Sequence, residues 1–290
     1  MADGRADAGP PRPLAFARTA CIVLRMDAPD EITPVPLAHD DVGAGPVVLL
    51  LHPFPLNRLF WRPMVQRLGG ALRTIAPDYR GFGDSPAQPP FSIAAYKVDV
   101  AALLDRLGTG PVVVVGVSMG GYVAFELWRR RPDLVRGLVL AHTRAEADGE
   151  AQAAARRATI ALVQDEGPVA LVGRMFEGMV GATTHATRPD VVDTVRAGMT
   201  HAPRQGTLGA LDALLTRPDS LGTLPTITVP TVVVSGDEDV LTPPPLQDVI
   251  ASGIRGARRV VIPNVGHLGP IEDPVRFAGL LRAFVEPLPR

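Results

Sequence analysis

Cysteine and lysine are almost missing from this chain. Cys21 is the only cysteine, so no disulfide can close within the chain and no cysteine cluster can hold a metal. Lys97 is the only lysine, and 29 basic residues face 30 acidic ones, so no one-signed face invites a nucleic acid. Nowhere do about 18 apolar residues run together, which predicts no membrane-spanning helix. The opening MADGRADAGPPRP is polar and rich in Pro and Gly, without the apolar centre of a secretory signal. Residues 1–15 are expected to form a loose, disordered tail. These features together predict a cytoplasmic setting.

What the 290 residues do hold is apolar bulk. With 46% hydrophobic residues, the chain can bury a large core, most simply one α/β domain with an insertion. Short apolar runs recur at PVVLLLH (46–52), RTIAPD (73–78), PVVVVGV (111–117), GLVLAH (137–142), TVVVSGD (231–237) and RRVVIPN (258–264). They are rich in Val, Leu and Ile without polar alternation, the pattern of parallel strands covered on both faces. ACIVLRM and PVPLAHDDV upstream are candidate antiparallel edge strands. Helical patterns fall between the runs, over about 57–69, 94–107, 119–131, 244–253 and 274–285. The alternation predicts an α/β fold with a mostly parallel sheet flanked by helices, whose sites gather at the carboxyl ends of the strands.

One interval breaks the rhythm. AQAAARRATIALVQDE, PVALVGRMFEGMVG, DVVDTVRAGMT and LGALDALLTR, all between the fourth and fifth runs, read as about four helices with no strand among them. A crossover needs only about a dozen residues. Residues 145–225 are therefore expected to form a helical cap, with 16–144 and 226–290 making the core.

Four valines lead into Gly116-Val117-Ser118-Met119-Gly120, and helical patterning follows at once. This G-x-S-x-G lies between strand and helix, where such a serine is held in a strained conformation with its hydroxyl projecting. Glycine at 116 and 120 relieves crowding around the turn. The helix N-terminus aims its free N–H groups at negative charge developing nearby. A helix-capping serine is the plainer alternative; the glycine fence and the preceding strand favour a nucleophile.

On these residues the chain resembles the α/β-hydrolase family over about residues 40–286. HPFPLNRLFW and SMGGYVAFELWRRRP are similar to segments of small esterases, of 3-oxoadipate enol-lactonases and of cofactor-free haloperoxidases. The resemblance implies an α/β-hydrolase fold, a chain order of serine, acid, histidine, and neither cofactor nor metal. His267, in VIPNVGHLGPIEDP, matches the family pattern G-H-x-x-x-x-E-x-P and is the implied base. In VVVSGDEDVLTPP the pattern G-x-x-D, counted from Gly236, selects Asp239 as the acid that orients the imidazole. Asp237 and Glu238 are then expected to be solvated loop charges. Some members of the family carry the acid after the earlier strand, which here ends in His142-Thr143, with Glu146 and Asp148 distantly eligible.

The implied oxyanion donors are the backbone N–H groups of Met119 and Phe54. Phe54 comes from LLLHPFPLNRLFW, which resembles the family's H-G-x-P loop with Pro53 in place of glycine. Proline has no N–H to offer, whereas Phe54 keeps its own; His52 is expected to tie the loop down. DYRGFGDSP matches the family segment D-x-R-G-x-G-x-S and is read as a structural turn with an Asp–Arg interaction.

Trp61, Met175, Phe176 and Met179 are candidates for the wall of a substrate pocket, with core packing the ordinary alternative. Apolar spacing in the cap predicts an acyl site with few charges, suited to uncharged esters or lactones. An enol-lactone's carboxylate would need an arginine such as Arg174. The implied activity is a serine hydrolase cleaving a carboxylic ester or lactone through an acyl-enzyme on Ser118. Carbon–carbon hydrolysis or haloperoxidase-type perhydrolysis on the same residues is the alternative chemistry. A non-catalytic ligand-binding relative is the alternative of another class. The expected partner is a small-molecule substrate, with neither nucleic acid nor membrane; the sequence carries no signal of oligomeric state.

Overall fold

The computed structural model of the chain describes Met1 and residues 32–288. The chain divides into Met1–Glu31 and Ile32–Arg290, and all described structure except Met1 belongs to the second unit. The tail expected over 1–15 and the candidate strand ACIVLRM lie outside the described residues.

Among the described residues seven strands form one sheet: β1 (His39–Val42), β2 (Val47–Leu51), β3 (Arg73–Pro77), β4 (Val112–Val117), β5 (Val135–Ala141), β6 (Thr231–Gly236) and β7 (Arg258–Ile262). Their spatial order is β1-β3-β2-β4-β5-β6-β7. Only β1, the strand foreseen in PVPLAHDDV, runs antiparallel. All residues of β4 and β6 are buried, which is why their sequences do not alternate: helices cover both faces.

The core helices are α1 (Arg62–Leu68), α2 (Ile93–Leu107) and α3 (Met119–Arg130). Between β5 and β6 come α4 (Glu150–Glu166), α5 (Ala170–Met175), α6 (Ala182–Thr187), α7 (Pro189–Thr200) and α8 (Arg204–Leu215). The chain closes with α9 (Pro244–Gly253), the single turn α10 (Gly269–Glu272) and α11 (Pro274–Val285). The stretch between β5 and β6 thus holds five helices where the pattern suggests four. The unforeseen one is α6, ATTHAT, whose threonines are poor helix formers. Glu238 from the loop after β6 steadies its first turn by accepting the Thr183 N–H at 2.8 Å. No helix among the described residues is long and apolar enough to cross a membrane.

Register brings the strand ends together. Leu51 pairs with Gly116 and Val117 with Ala141, so the residues that follow β2, β4 and β5 emerge side by side. The strand order also reverses at β2, which has β3 on one side and β4 on the other. A crevice outside the carboxyl ends at such a switch point is where open α/β sheets bind ligands.

Candidate active site

Ser118 joins β4 to α3 with φ +52° and ψ −113°, a conformation that side chains with a Cβ avoid. Three hydrogen bonds hold it there. The Ser118 N–H donates to the Ala141 carbonyl at 3.0 Å, and the Ser118 carbonyl accepts from the Gly121 N–H and from Thr143 Oγ1, both at 2.9 Å. A Cβ on Gly116 would run into the Gly120 carbonyl, and one on Gly120 into that of Leu51. The glycines therefore permit a turn too tight for side chains, at a strain cost of about 1–3 kcal/mol.

Asp239 and His267 come from the loops after β6 and β7 and meet in the interior. Nδ1 of His267 lies 3.0 Å from each carboxylate oxygen of Asp239. A carboxylate only accepts, so the proton on that imidazole belongs on Nδ1, leaving Nε2 free to take another. Oδ1 of Asp239 further accepts the Leu241 and Thr242 N–H groups at 3.0 and 2.9 Å, and Oδ2 accepts Thr242 Oγ1 at 2.8 Å. Burial would raise the carboxyl's pKa, but the charge and hydrogen bonds of His267 and His142 outweigh it and hold it far below the usual range.

His142 is the residue sequence reasoning missed. It directly follows β5 with φ +50°, and its Nδ1 donates to Oδ2 of Asp239 at 3.1 Å. No signal in the sequence links two residues 97 positions apart. Glu272 is the second omission, although its pattern E-x-P is legible. Its buried carboxylate accepts the N–H groups of Gly266 at 3.0 Å and Leu268 at 2.9 Å, on either side of His267. It also accepts the Gly181 N–H and Thr184 Oγ1 from the helical stretch after β5.

Asp237 is exposed, as expected of a solvated loop charge, and that reading is corrected only for Glu238, which is half-buried. Asp237 accepts the Asn264 N–H at 2.7 Å and so ties the β6 and β7 loops together, and Glu238 is engaged with Thr183.

The loop after β2 carries Phe54. His52 is fully buried; its Nδ1 donates to the Pro53 carbonyl at 3.1 Å and its Nε2 accepts the Tyr79 N–H at 3.2 Å. No described residue accepts the Phe54 N–H, and Met119, as the first residue of α3, has no acceptor inside its helix. The Asp–Arg interaction expected within DYRGFGDSP takes a different form. Asp78 pairs with Arg58, while Arg80 is buried against Asp99 at 2.6 Å. Each of these partners lies outside the segment, which is also closed on itself: Asp78 accepts the Asp84 N–H at 3.0 Å, and Ser85 Oγ donates to the Asp78 carbonyl at 2.8 Å.

Ser118, Phe54 and His267 share the wall of a cavity of about 220 Å³ with Tyr122, Met175 and Met179. A larger hollow of about 310 Å³, lined by residues such as Leu56, Phe60 and Val195, holds none of the nominated residues; chemistry, not size, marks the site. Of the four pocket candidates, Met175 and Met179 stand on this wall, and Trp61 and Phe176 do not. Trp61 is core, edge-on to Phe60 at 4.9 Å between ring centres. Phe176 is buried against His185, with the Arg196 guanidinium 4.0 Å above its ring. Large apolar rings bury wherever the packing closes around them, whatever the neighbouring cavity needs. The expectation of few charges is also overturned, because Arg144, Asp148 and Arg156 line the same cavity.

A family model described as alpha/beta hydrolase fold matches residues 46–274. The sequence is 30% identical over 256 residues to a pimeloyl-(acyl-carrier protein) methyl ester esterase of Neisseria meningitidis serogroup C, covering 82% of this chain and 93% of that protein. A thermophilic esterase from Thermogutta terrifontis, solved with malate bound, superposes with a TM-score of 0.83 at 37% identity, over 86% of this chain and 93% of its own. The enol-lactonase from Burkholderia xenovorans LB400 gives a TM-score of 0.80 at 26% identity, over 86% and 96%.

Proposed function

This chain belongs to the α/β-hydrolase fold family and is an enzyme of the hydrolase type; from that premise we propose that it cleaves a carboxylic ester or lactone through an acyl-enzyme on Ser118. The observation that carries the reading is the strained Ser118 opening α3 on the same cavity wall as His267, whose Nδ1 is held by Asp239.

In the proposed cycle Ser118 Oγ attacks the substrate carbonyl while His267 Nε2 takes its proton. The backbone N–H groups of Phe54 and Met119 receive the oxyanion, each worth about 3 kcal/mol in the transition state. Collapse breaks the bond to the alkoxy oxygen, which takes the proton from His267. Water then attacks the acyl-enzyme, giving its proton to His267, and the acid product leaves as Ser118 regains that proton. Asp239 stays ionised throughout, fixing the tautomer of His267 and balancing its cation. These steps call for no cofactor. Residues 145–225 serve as the cap, contributing Met175 and Met179 to the acyl site.

A fluorophosphonate probe should modify Ser118 stoichiometrically, as peptide mapping would show. Ser118→Ala should abolish the adduct and lower kcat on a p-nitrophenyl ester by at least about 10⁴-fold with the melting temperature nearly unchanged. Turnover within about tenfold of wild type would sink the assignment.

A further inference from the structure

Beside Ser118 the cavity wall is charged, and its charges do not cancel. The cavity of about 220 Å³ shares Phe54, Gln152, Arg156 and Met175 with a second hollow of about 270 Å³. Arg144, Arg156 and Arg174 line the pair, with Asp148 as their only carboxylate. Asp148 is itself committed. Its side chain is 1% exposed and lies 2.8 Å from Nη1 of Arg217, a guanidinium 2% exposed and stacked 4.4 Å from the centre of the Tyr122 ring.

That buried pair is neutral by itself. Arg144 and Arg156 also reach Asp148, through Nη2 at 2.9 Å and Nε at 2.7 Å, so one negative charge serves three positive ones. Burial would raise the Asp148 pKa, but the bond and charge of Arg156 and the charge of Arg217 hold it down to about 2, so the carboxylate is ionised at working pH. Arg156 meets Asp148 by its Nε edge, and its two Nη groups have no hydrogen-bond partner among the described residues. Arg174 enters no ion pair among the described residues. Arg144 and Arg156 are half-buried, and holding such cations with too little counter-charge costs desolvation energy, which an entering anion would offset. A guanidinium fixed by its Nε edge presents the fork that fits a carboxylate in two parallel bonds.

We propose that the substrate is an ester or lactone bearing a carboxylate away from the scissile bond, received by Arg156 and Arg174 with Arg144 adding charge. This rests on the serine-hydrolase reading above. It replaces the uncharged acyl group expected from sequence, and the modest volume of the cavity keeps the molecule small.

Monomethyl adipate and dimethyl adipate differ in one methyl group and one charge. The monoester should be favoured in kcat/KM by about tenfold or more, the size of one charge-assisted hydrogen bond, and added salt should shrink the preference. Arg156→Gln and Arg174→Gln should each lower the monoester-to-diester ratio by about tenfold, and Arg156→Lys should restore part of it. Arg174 is exposed and outside the Asp148 cluster, so its variant tests the idea even if Arg156→Gln does not fold. A wild-type ratio of one or less, or a ratio unmoved in the Arg174 variant, would overturn the proposal. Ser118→Ala separates the two levels: loss of both activities supports the serine reading whatever the ratio, and survival of both defeats that reading whatever the ratio.

Discussion

His142 and Asp239 are joined by a 3.1 Å bond from Nδ1 to Oδ2, and both side chains are shut away from solvent. One carboxylate therefore holds two imidazoles, because Nδ1 of His267 also lies 3.0 Å from each of its oxygens. The two rings stand edge to face, 6.1 Å apart.

If Asp239 orients His267, the buried bond from His142 should help to position that carboxylate. His142→Ala removes one of several donors to Asp239, so kcat should fall by about tenfold, the size of one lost charge-assisted bond. His142→Gln, which can still donate to Oδ2, should recover part of the loss. Unchanged kcat in both variants would mean that Thr242 and the loop N–H groups fix Asp239 unaided.

Asp239→Asn should cost about 10⁴-fold in kcat, because an amide favours the wrong tautomer of His267 and cannot balance its cation. Asp237→Asn, two residues away, keeps an oxygen for the Asn264 N–H and should stay within about threefold of wild type. The opposite ranking in steady-state assays would put the acid at Asp237.

His52 should give stability a slope in acid. Burial pushes its pKa down to about 4 against the opposing pulls of Asp78 and the Pro53 carbonyl, whereas an unfolded histidine titrates near about 6.5. Between those values the unfolded chain binds a proton that the native ring refuses. Stability thus falls as pH drops from about 6.5 to about 4, by up to about 3 kcal/mol, and this residue adds no slope above that window. Urea unfolding of wild type and His52→Gln across the window should show the variant flatter; parallel curves would mean that His52 takes up its proton in the folded state.

Phe176→Ala should destabilise by about 3–5 kcal/mol, as loss of a buried ring does, and leave acyl-chain preference alone. Met179→Ala, on the wall shared with Ser118, should shift preference toward longer acyl groups. Melting curves and a series of p-nitrophenyl esters would check both. A changed chain-length profile for Phe176→Ala without loss of stability would place its ring in the pocket.

Much of this was legible because it is local. VVVVGVSMGG holds a strand, a strained turn and a helix start within ten residues, and the glycine at 116 is demanded by the backbone of that one turn, whereas the one at 120 also makes room for the Leu51 carbonyl of β2. β2, β4, β5 and β6 lie where runs rich in Val and Leu put them, since burial on both faces leaves no room for polar alternation. GH-x-x-x-x-E-x-P and G-x-x-D marked His267 and Asp239 from a few residues each. The bond from His142 to Asp239, the grip of Glu272 on both neighbours of His267, and the arginines around Asp148 were not legible. Each joins residues that only the packed sheet ends and helices bring together. Sequence periodicity says that Phe176 and Met179 share an apolar face, but not which of the two closes into the core and which is left on the cavity wall. That choice, like the charge beside Ser118, depends on the directions in which whole helices present their side chains, and tertiary packing alone fixes those directions.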